Sequence, residues 1–386
     1  MNFILKVCVF AAVILLASTP LSALSTLSPL QAPPAQAKPF SPDKNKYWKW
    51  RGTSMRYVVG NPPKSSSTTK GNLVLIHGFG GNADHWRRNV EPLAAAGFKV
   101  FAIDLLGYGY SSKINPNEAK KMKGLNGENG RDFSSFPQKY NGDANAVGPF
   151  GPVGSTPFTS MEHPLESVYN FYTWSEQLTS FIDEVVGGEA FLACNSIGSC
   201  VGLQAAIDRP EVVKGVVILD PSLRLLNVKR QNPFFVPLVT IFQKLLRETF
   251  VGKWFFSQVA TEKTVSEVLK QAYGDPEQVS DELVKCILDP GLTEGATEVF
   301  LDFISYSAGP LPEEQLKIIS MEGNSVPVGI GWGTADPWEP SSTIDLYAKE
   351  DCVKMTRLFD GVGHCPQDEA PDAVNTFIVD FIASLE

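Results

Sequence analysis

Short apolar runs that stop on a small or polar residue recur along the 386-residue chain, and helical periodicity fills the gaps between them. "NLVLIHG" (72–78), "FKVFAIDLLG" (98–107), "AFLACNS" (190–196), "VVKGVVILDPS" (212–222), "VPVGIGWGTADP" (326–337) and "KMTRLFDGVGH" (354–364) read as strands. "DHWRRNVEPLAAAG" sets Trp86, Val90 and Leu93 at helical spacing ahead of a stop at Gly97. "FYTWSEQLTSFIDEVVGG" sets Trp174, Leu178, Phe181, Ile182 and Val185 on one helical face, and "DAVNTFIVDFIASL" closes the chain as a helix. Strands bounded this way and alternating with helices lie in a mostly parallel sheet with helices on both faces. The expected fold class is therefore α/β.

Two stretches break that rhythm. Residues 112–163 form a long connection rich in Gly, Asn, Pro and Lys. A connection of that length carries function or has no fixed structure. Residues 223–320 are helical in pattern and lie between two strands, which predicts a helical cap inserted into the sheet domain. The core is then expected over 45–222 and 321–386. Residues 1–44 stand apart. Lys6 precedes an apolar run, Val7 to Ala17, too short for a comfortable membrane span and suited to a signal peptide. Leu24 to Pro42 is rich in Ser, Pro and Ala and has no acid, as in a transit peptide. The expected destination is a plastid, with secretion or an endomembrane compartment as the alternative.

Charge and cysteine content set further limits. Residues 1–83 hold nine Lys/Arg against Asp43 alone, so the whole of the net −9 arises beyond them. An acidic core argues against a nucleic-acid partner. Beyond Cys8, five cysteines occur with no CxxC pair, giving neither a zinc framework nor a disulfide scaffold. Cys194 and Cys200 sit in apolar surroundings and read as buried thiols.

The run 190–196 stops on Ser196, with Cys194 two places before and Gly198 two places after. A Ser on a tight strand-to-helix turn presents its hydroxyl above the sheet edge, and that turn needs small neighbours. A Ser hydroxyl also needs a base to take its proton. Of His77, His85, His163 and His364, only His364 ends a late strand, in "GVGHCPQDE". A carboxylate must orient the imidazole. Asp336 in "GTADPWEP" follows the preceding strand; Asp220 after "VVILD" is the second candidate. The order Ser196, Asp336, His364 is that of the α/β-hydrolases. "HGFGG" (77–81) suits an oxyanion loop, in which the N–H of Phe79 joins that of Ile197. His77 there reads as a structural hydrogen-bonder, and Asp104 in "DLLGYGYS" as a loop anchor. His85 and Trp86 start a helix beside the expected pocket mouth, where they either pack and cap that helix, the favoured reading, or line the pocket.

These pieces resemble the capped α/β-hydrolases of plant and algal plastids, the group that includes pheophytinase and chlorophyll dephytylase. The matching stretches are "VLIHGFGGNADHWRRN", "IDLLGYGYSS", "ACNSIGS", "WGTADPWEP" and "GVGHCPQDEAP". Two positions depart from the pattern: Cys194 replaces the usual Gly, and Ser199 stands where a second Gly is common. The resemblance implies an α/β-hydrolase fold, a triad of Ser196, Asp336 and His364, and an oxyanion hole of Phe79 and Ile197. It implies hydrolysis of an apolar carboxylic ester of phytyl or long-chain type. The pocket is expected to include His85, Trp86, Phe234 and Trp254, the last two from the aromatic stretch 234–256. No metal and no cofactor is expected. The expected partner is a small apolar ester; peripheral membrane association and oligomeric state stay open. Carbon–carbon bond hydrolysis, generic ester hydrolysis and non-catalytic ligand binding are the alternatives.

Overall fold

The computed structural model describes residues 38–63, 69–119, 147–148, 151–152, 167–225, 227–230, 234, 236–306, 309–321 and 326–386. The leader expected over 1–44 lies outside them as far as residue 37, as does most of the connection expected over 112–163. Eight strands make one sheet: β1 (Lys46–Trp50), β2 (Thr53–Gly60), β3 (Gly71–Ile76), β4 (Phe98–Ile103), β5 (Ala190–Asn195), β6 (Val213–Leu219), β7 (Val328–Gly333) and β8 (Val353–Phe359). Their order is β1-β2-β4-β3-β5-β6-β7-β8. The pairs from β4 to β8 are parallel, while β2 runs antiparallel to both β1 and β4. The chain leaves β3 to form β4 on one side and returns to form β5 on the other. In open α/β sheets ligands bind at such a reversal, outside the carboxyl ends of the strands. Here those ends lead into His77 and Ser196.

Each central strand divides its residues between two cores, because successive side chains point to opposite faces. Val74, Ile76, Leu192, Cys194, Val216 and Ile218 enter one core. Leu73, Leu75, Phe191, Ala193, Val217 and Leu219 enter the other. The first core is covered by α2 (Phe171–Phe181) and α3 (Ile197–Asp208), the second by α1 (Val90–Ala95) and the last helix of the chain (Pro371–Ala383). Helix α2 starts where the Asn170 side chain accepts the N–H groups of Tyr172 and Thr173, satisfying two donors the helix itself leaves open.

Two local expectations are corrected. The helix expected from Asp84 onward is a 3-10 turn, Ala83–Trp86, followed by α1 from Val90. Pro92 fits only the first turn of a helix, so α1 starts just ahead of it. The strand readings at 98–107, 212–222, 326–337 and 354–364 run past the paired residues, since their last positions form the turns that carry the site.

Between β6 and β7 the chain passes through α4 (Val236–Glu248), α5 (Phe250–Val259), α6 (Glu262–Ala272), α7 (Asp281–Gly291), α8 (Ala296–Ile304) and α9 (Pro312–Met321). Helix α9 returns to the sheet layers. There Gln315 donates to the Cys200 carbonyl at 2.9 Å, and Leu316 joins the first core.

Candidate active site

Ser196 lies between the last residue of β5 and the first of α3, at φ 54°, ψ −120°. Its backbone is fixed by its N–H to the Leu219 carbonyl (2.9 Å) and by its own carbonyl, which accepts from Ser199 (3.0 Å). A non-glycine residue at such φ costs about 1–3 kcal/mol and persists only where its surroundings dictate it. The turn brings α3 so close to the HGFGG segment that a Cβ at 198 would lie 2.6 Å from the His77 carbonyl oxygen. Cys194, unusual at its position, is accommodated by Gly202, where a Cβ would lie 2.4 Å from the Cys194 sulfur. The extra sulfur thus occupies space left by a glycine on α3. Gly202→Ala should therefore destabilise the protein by about 1–3 kcal/mol through overpacking. In a Cys194→Ala background the same change should be neutral or stabilising by up to about 1 kcal/mol, because Ala is the better helix former. Denaturant unfolding of the four proteins measures the coupling; additive effects would mean the sulfur and the glycine are not complementary.

The structure brings Ser196, His364 and Asp336 together. His364 Nε2 is 3.0 Å from Ser196 Oγ, and its Nδ1 is 2.7 Å from Asp336 Oδ2. The other Asp336 oxygen accepts the N–H groups of Trp338 (2.9 Å) and Glu339 (3.1 Å), which locks the carboxylate plane. Burial on its own would lower the His364 pKa; the hydrogen bond and charge of Asp336, with Glu339 adding, reverse this and hold it above the usual value. Burial works against the Asp336 charge too, but the His364 contact outweighs it and keeps its pKa low. Asp220 sits beside this pair. Its Oδ1 accepts the Gly333 N–H at 2.9 Å, and burial, followed by the Asp336 charge, pushes its pKa far above the carboxylate range. Asp220, Asp336 and His364 are the one group among the described residues whose donor atoms approach closely enough to share a metal ion, all within 4.8 Å. Its Asp336 and His364 donors are already committed to hydrogen bonds.

The HGFGG turn is held by His77. Its Nδ1–H donates to the Gly78 carbonyl (2.8 Å), its Nε2 accepts the Leu105 N–H (3.1 Å), and burial keeps it neutral. The Gly78 carbonyl also accepts the Gly81 N–H at 3.1 Å. Gly78 C=O and Phe79 N–H belong to one peptide plane, so tying down the carbonyl sets the direction of the N–H. The Ile197 N–H, at the first position of α3, has no acceptor within its helix. Asp104 anchors the neighbouring loop by accepting the N–H groups of Ala83 and Tyr110, each at 2.7 Å, and pairs with the buried Arg56.

The expected pocket residues divide. His85 is buried against the flank of the site, 3.4 Å from the Tyr273 hydroxyl, and burial lowers its pKa to about 4. Trp86 is corrected: it is fully buried in the second core and not in a pocket. Phe234 and Trp254 are corrected too. Phe234, ahead of α4, is 90% exposed, and Trp254 on α5 is 55% exposed. The aromatic wall next to the HGFGG turn comes from elsewhere: Phe79 lies 5.4 Å from Phe303, 5.6 Å from Phe300 and 6.3 Å from Tyr108. A 410 Å³ surface cavity beside Arg56, Tyr47 and Tyr110 shares no residue with the Ser196 cluster.

Sequence reasoning missed two carboxyls. Glu339 is buried, accepts the Leu223 N–H at 3.1 Å and is pushed up to about 7 by burial. It joins the Asp336 turn to the start of the connection after β6. Glu369, also pushed by burial to about 7, accepts N–H groups of Gly363 (3.0 Å), Gly274 (3.0 Å) and Asp275 (3.3 Å). It ties the His364 loop to the end of α6, where the His364 N–H donates to the Ala272 carbonyl at 2.7 Å. Both acids lie in the quoted motifs "DPWEP" and "HCPQDEAP", three and five residues beyond Asp336 and His364. That spacing was the available signal.

Comparison with known proteins gives a consistent frame. The model of the family described as "Alpha/beta hydrolase family" matches residues 73–377. Chloroplastic pheophytinase of Arabidopsis thaliana is 24% identical over 319 residues, which is 81% of this chain and 61% of that relative. The chain thus spans less than two thirds of that relative's length. Among solved structures, an epoxide hydrolase without ligand superposes with a TM-score of 0.59 at 17% identity, covering 89% of this chain and 99% of that one. A meta-cleavage product hydrolase from Pseudomonas fluorescens gives 0.56 at 16% identity, covering 88% and 98%. At these identities the two structures speak for the fold alone.

Proposed function

Because this chain belongs to the alpha/beta hydrolase family, we propose that it is a serine hydrolase cleaving a carboxylic ester through an acyl-enzyme. The observation that carries the reading is the line of contacts from Ser196 Oγ through the His364 ring to Asp336, at 3.0 and 2.7 Å. In this reading Ser196 Oγ attacks the ester carbonyl carbon and His364 Nε2 takes its proton. The N–H groups of Phe79 and Ile197 receive the charge that develops on the carbonyl oxygen. His364 then hands the proton to the leaving alcohol oxygen. Water, deprotonated by the same nitrogen, releases the acid and restores Ser196. Asp336 holds the Nδ1–H tautomer and balances the imidazolium.

The substrate we propose is an apolar ester of phytyl or long-chain type. The likeness to pheophytinase over 81% of the chain supports it, as does the aromatic wall of Phe79, Phe300 and Phe303 beside the site. A plastid location accords with that relative's chloroplastic name and with the composition of residues 1–44. Epoxide hydrolysis on this fold uses an Asp nucleophile, whereas position 196 is Ser.

The test is a hydrolysis series on the purified protein, from acetyl esters to long-chain and phytyl esters. Each buried methylene contributes about 0.8 kcal/mol, so kcat/KM should rise by up to about fourfold per CH₂ while the chain still fits. Phe300→Ala should flatten the rise. A flat profile across chain lengths would remove the apolar-ester reading. Cleavage of a vinylogous diketone with no ester turnover would replace it by carbon–carbon bond hydrolysis.

A further inference from the structure

The backbone of His364 is held from two sides. Its carbonyl accepts the side-chain amide of Asn195, the residue before Ser196, at 3.1 Å. Its N–H donates to the Ala272 carbonyl at 2.7 Å, so the end of α6 supplies the second hold. More contacts join the same two segments. The Glu369 carboxylate accepts the Gly363 N–H on Oε2 (3.0 Å), the Asp275 N–H on Oε1 (3.3 Å) and the Gly274 N–H between them (3.0 and 3.1 Å). The Tyr273 hydroxyl donates to Asp368 at 2.7 Å, and Asp368 pairs with Arg87 at 2.8 Å. Cys365 shares a small apolar core with Leu269 and Ala272 of α6 and with Leu283 and Val284 of α7. Trp338, from the Asp336 turn, packs against that core with its ring 5.0 Å from the His364 ring.

The two backbones meet at a pair of glycines. A Cβ at Gly363 would lie 2.1 Å from the Ala272 carbonyl oxygen, and one at Gly274 would lie 2.0 Å from the Gly361 carbonyl oxygen. Neither glycine has a left-handed φ, so the close approach alone excludes a side chain at both. The joint falls on the residues that flank the imidazole, 363 and 365, and on His364 itself. Placement there is costly to lose, since an error of about 1 Å in a reacting group can slow a reaction about a hundredfold. We propose that Glu369 is a positioning residue for His364. It clamps the loop that carries the base to the end of α6, so the imidazole reaches both Asp336 and Ser196 only while that helix end is seated. The proposal rests on the reading of His364 as the base, so its test follows the histidine directly as well as turnover.

Two substitutions in the full chain loosen the clamp by different means. Glu369→Gln keeps the size of the side chain. Gly363 and Asp275 donate to different oxygens, however, so the new NH₂ group faces one of those N–H groups. Gly274→Ala leaves every charge in place and forces the two backbones apart. Both should lower kcat about tenfold to a hundredfold with KM little changed. The chain has four histidines, so NMR of protein with isotope-labelled histidine, assigned with His364→Ala, reads the titration of His364 itself. In both variants that titration should fall from its raised position toward the ordinary value, as the Asp336 contact loosens. The charged and titratable groups that face the ring, Asp336, Glu339, Asp220 and His85, are kept in both. Because Gly274→Ala removes no charge, a shift shared by the two variants is one of position. Should Gly274→Ala not fold, the isosteric Glu369→Gln decides alone. Parent kcat in Glu369→Gln with an unmoved His364 titration overturns the proposal. So does a lowered unfolding midpoint with kcat per folded molecule unchanged, which would make the joint a tie for stability only. The shared shift in a protein that turns over no ester would uphold the clamp and remove the ester reading.

Discussion

Ser196→Ala is expected to lower kcat on any substrate of the enzyme by about three orders of magnitude or more, with little change in the thermal unfolding midpoint. Alanine keeps the small side chain that the turn at φ 54° tolerates and removes only the oxygen facing His364 Nε2 at 3.0 Å. No nearby thiol can take over. Burial pushes the Cys200 thiol up to about 12 and the Cys194 thiol well above the usual range, so neither forms a thiolate at neutral pH. The residual rate should be what the oxyanion N–H groups and binding supply without a nucleophile. A fluorophosphonate label should attach to the parent protein and not to the variant. Ester turnover by Ser196→Ala at the parent rate would place the chemistry elsewhere.

The parts of this molecule legible in the sequence are those governed by a local pattern. β3, β5 and β6 read as strands because both of their faces are buried, which leaves apolar runs with few polar residues. Ser196, Asp336 and His364 can be grouped from the sequence because each follows a predicted strand, and a parallel sheet delivers the ends of its strands to one edge. β1 and β2 were overlooked for the opposite reason. In Lys46–Trp50 only Trp48 and Trp50 are buried, and the interleaved lysines mask the period of two. The hairpin then adds an antiparallel end to the sheet. Long-range complementarity leaves no local trace either. The match of Cys194 to Gly202 joins a strand to a helix eight residues on, and neither residue announces the other. Glu339 lies in a bend and Glu369 ends a short helix, Pro366–Glu369, settings that usually mean solvent. Their carboxyls turn inward only because backbone N–H groups from the connection after β6 approach them. The aromatic stretch 234–256 stands out in composition, but composition does not say which way a ring points, and Phe234 and Trp254 face solvent.

Asp336→Asn should cost about 10³–10⁴ in kcat near neutral pH, and Asp220→Asn less than about tenfold. The difference follows from hydrogen-bond direction. One Asp336 oxygen accepts two backbone N–H groups, from Trp338 and Glu339. An Asn at 336 keeps its carbonyl on them and turns its NH₂ toward His364 Nδ1. That nitrogen must then accept, the ring proton moves to Nε2, and Nε2 can no longer take the Ser196 proton. Asp220 makes no hydrogen bond to the His364 ring, whose two nitrogens face Asp336 and Ser196, and burial disfavours its charge, so an amide there leaves the ring's tautomer in place and keeps an oxygen for the Gly333 N–H. The pH profiles should separate the two as well. Activity of the parent should fall as pH drops through the His364 pKa, which burial lowers but Asp336 raises above its ordinary value, because the protonated ring cannot accept. Asp336→Asn removes that charge, so its residual activity should persist to lower pH, while Asp220→Asn should keep the parent's acid limb close to where it was. Rates and profiles for the two variants on one ester decide the assignment. A larger loss for Asp220→Asn, with the shifted acid limb, would move the orienting acid from the end of β7 to the end of β6.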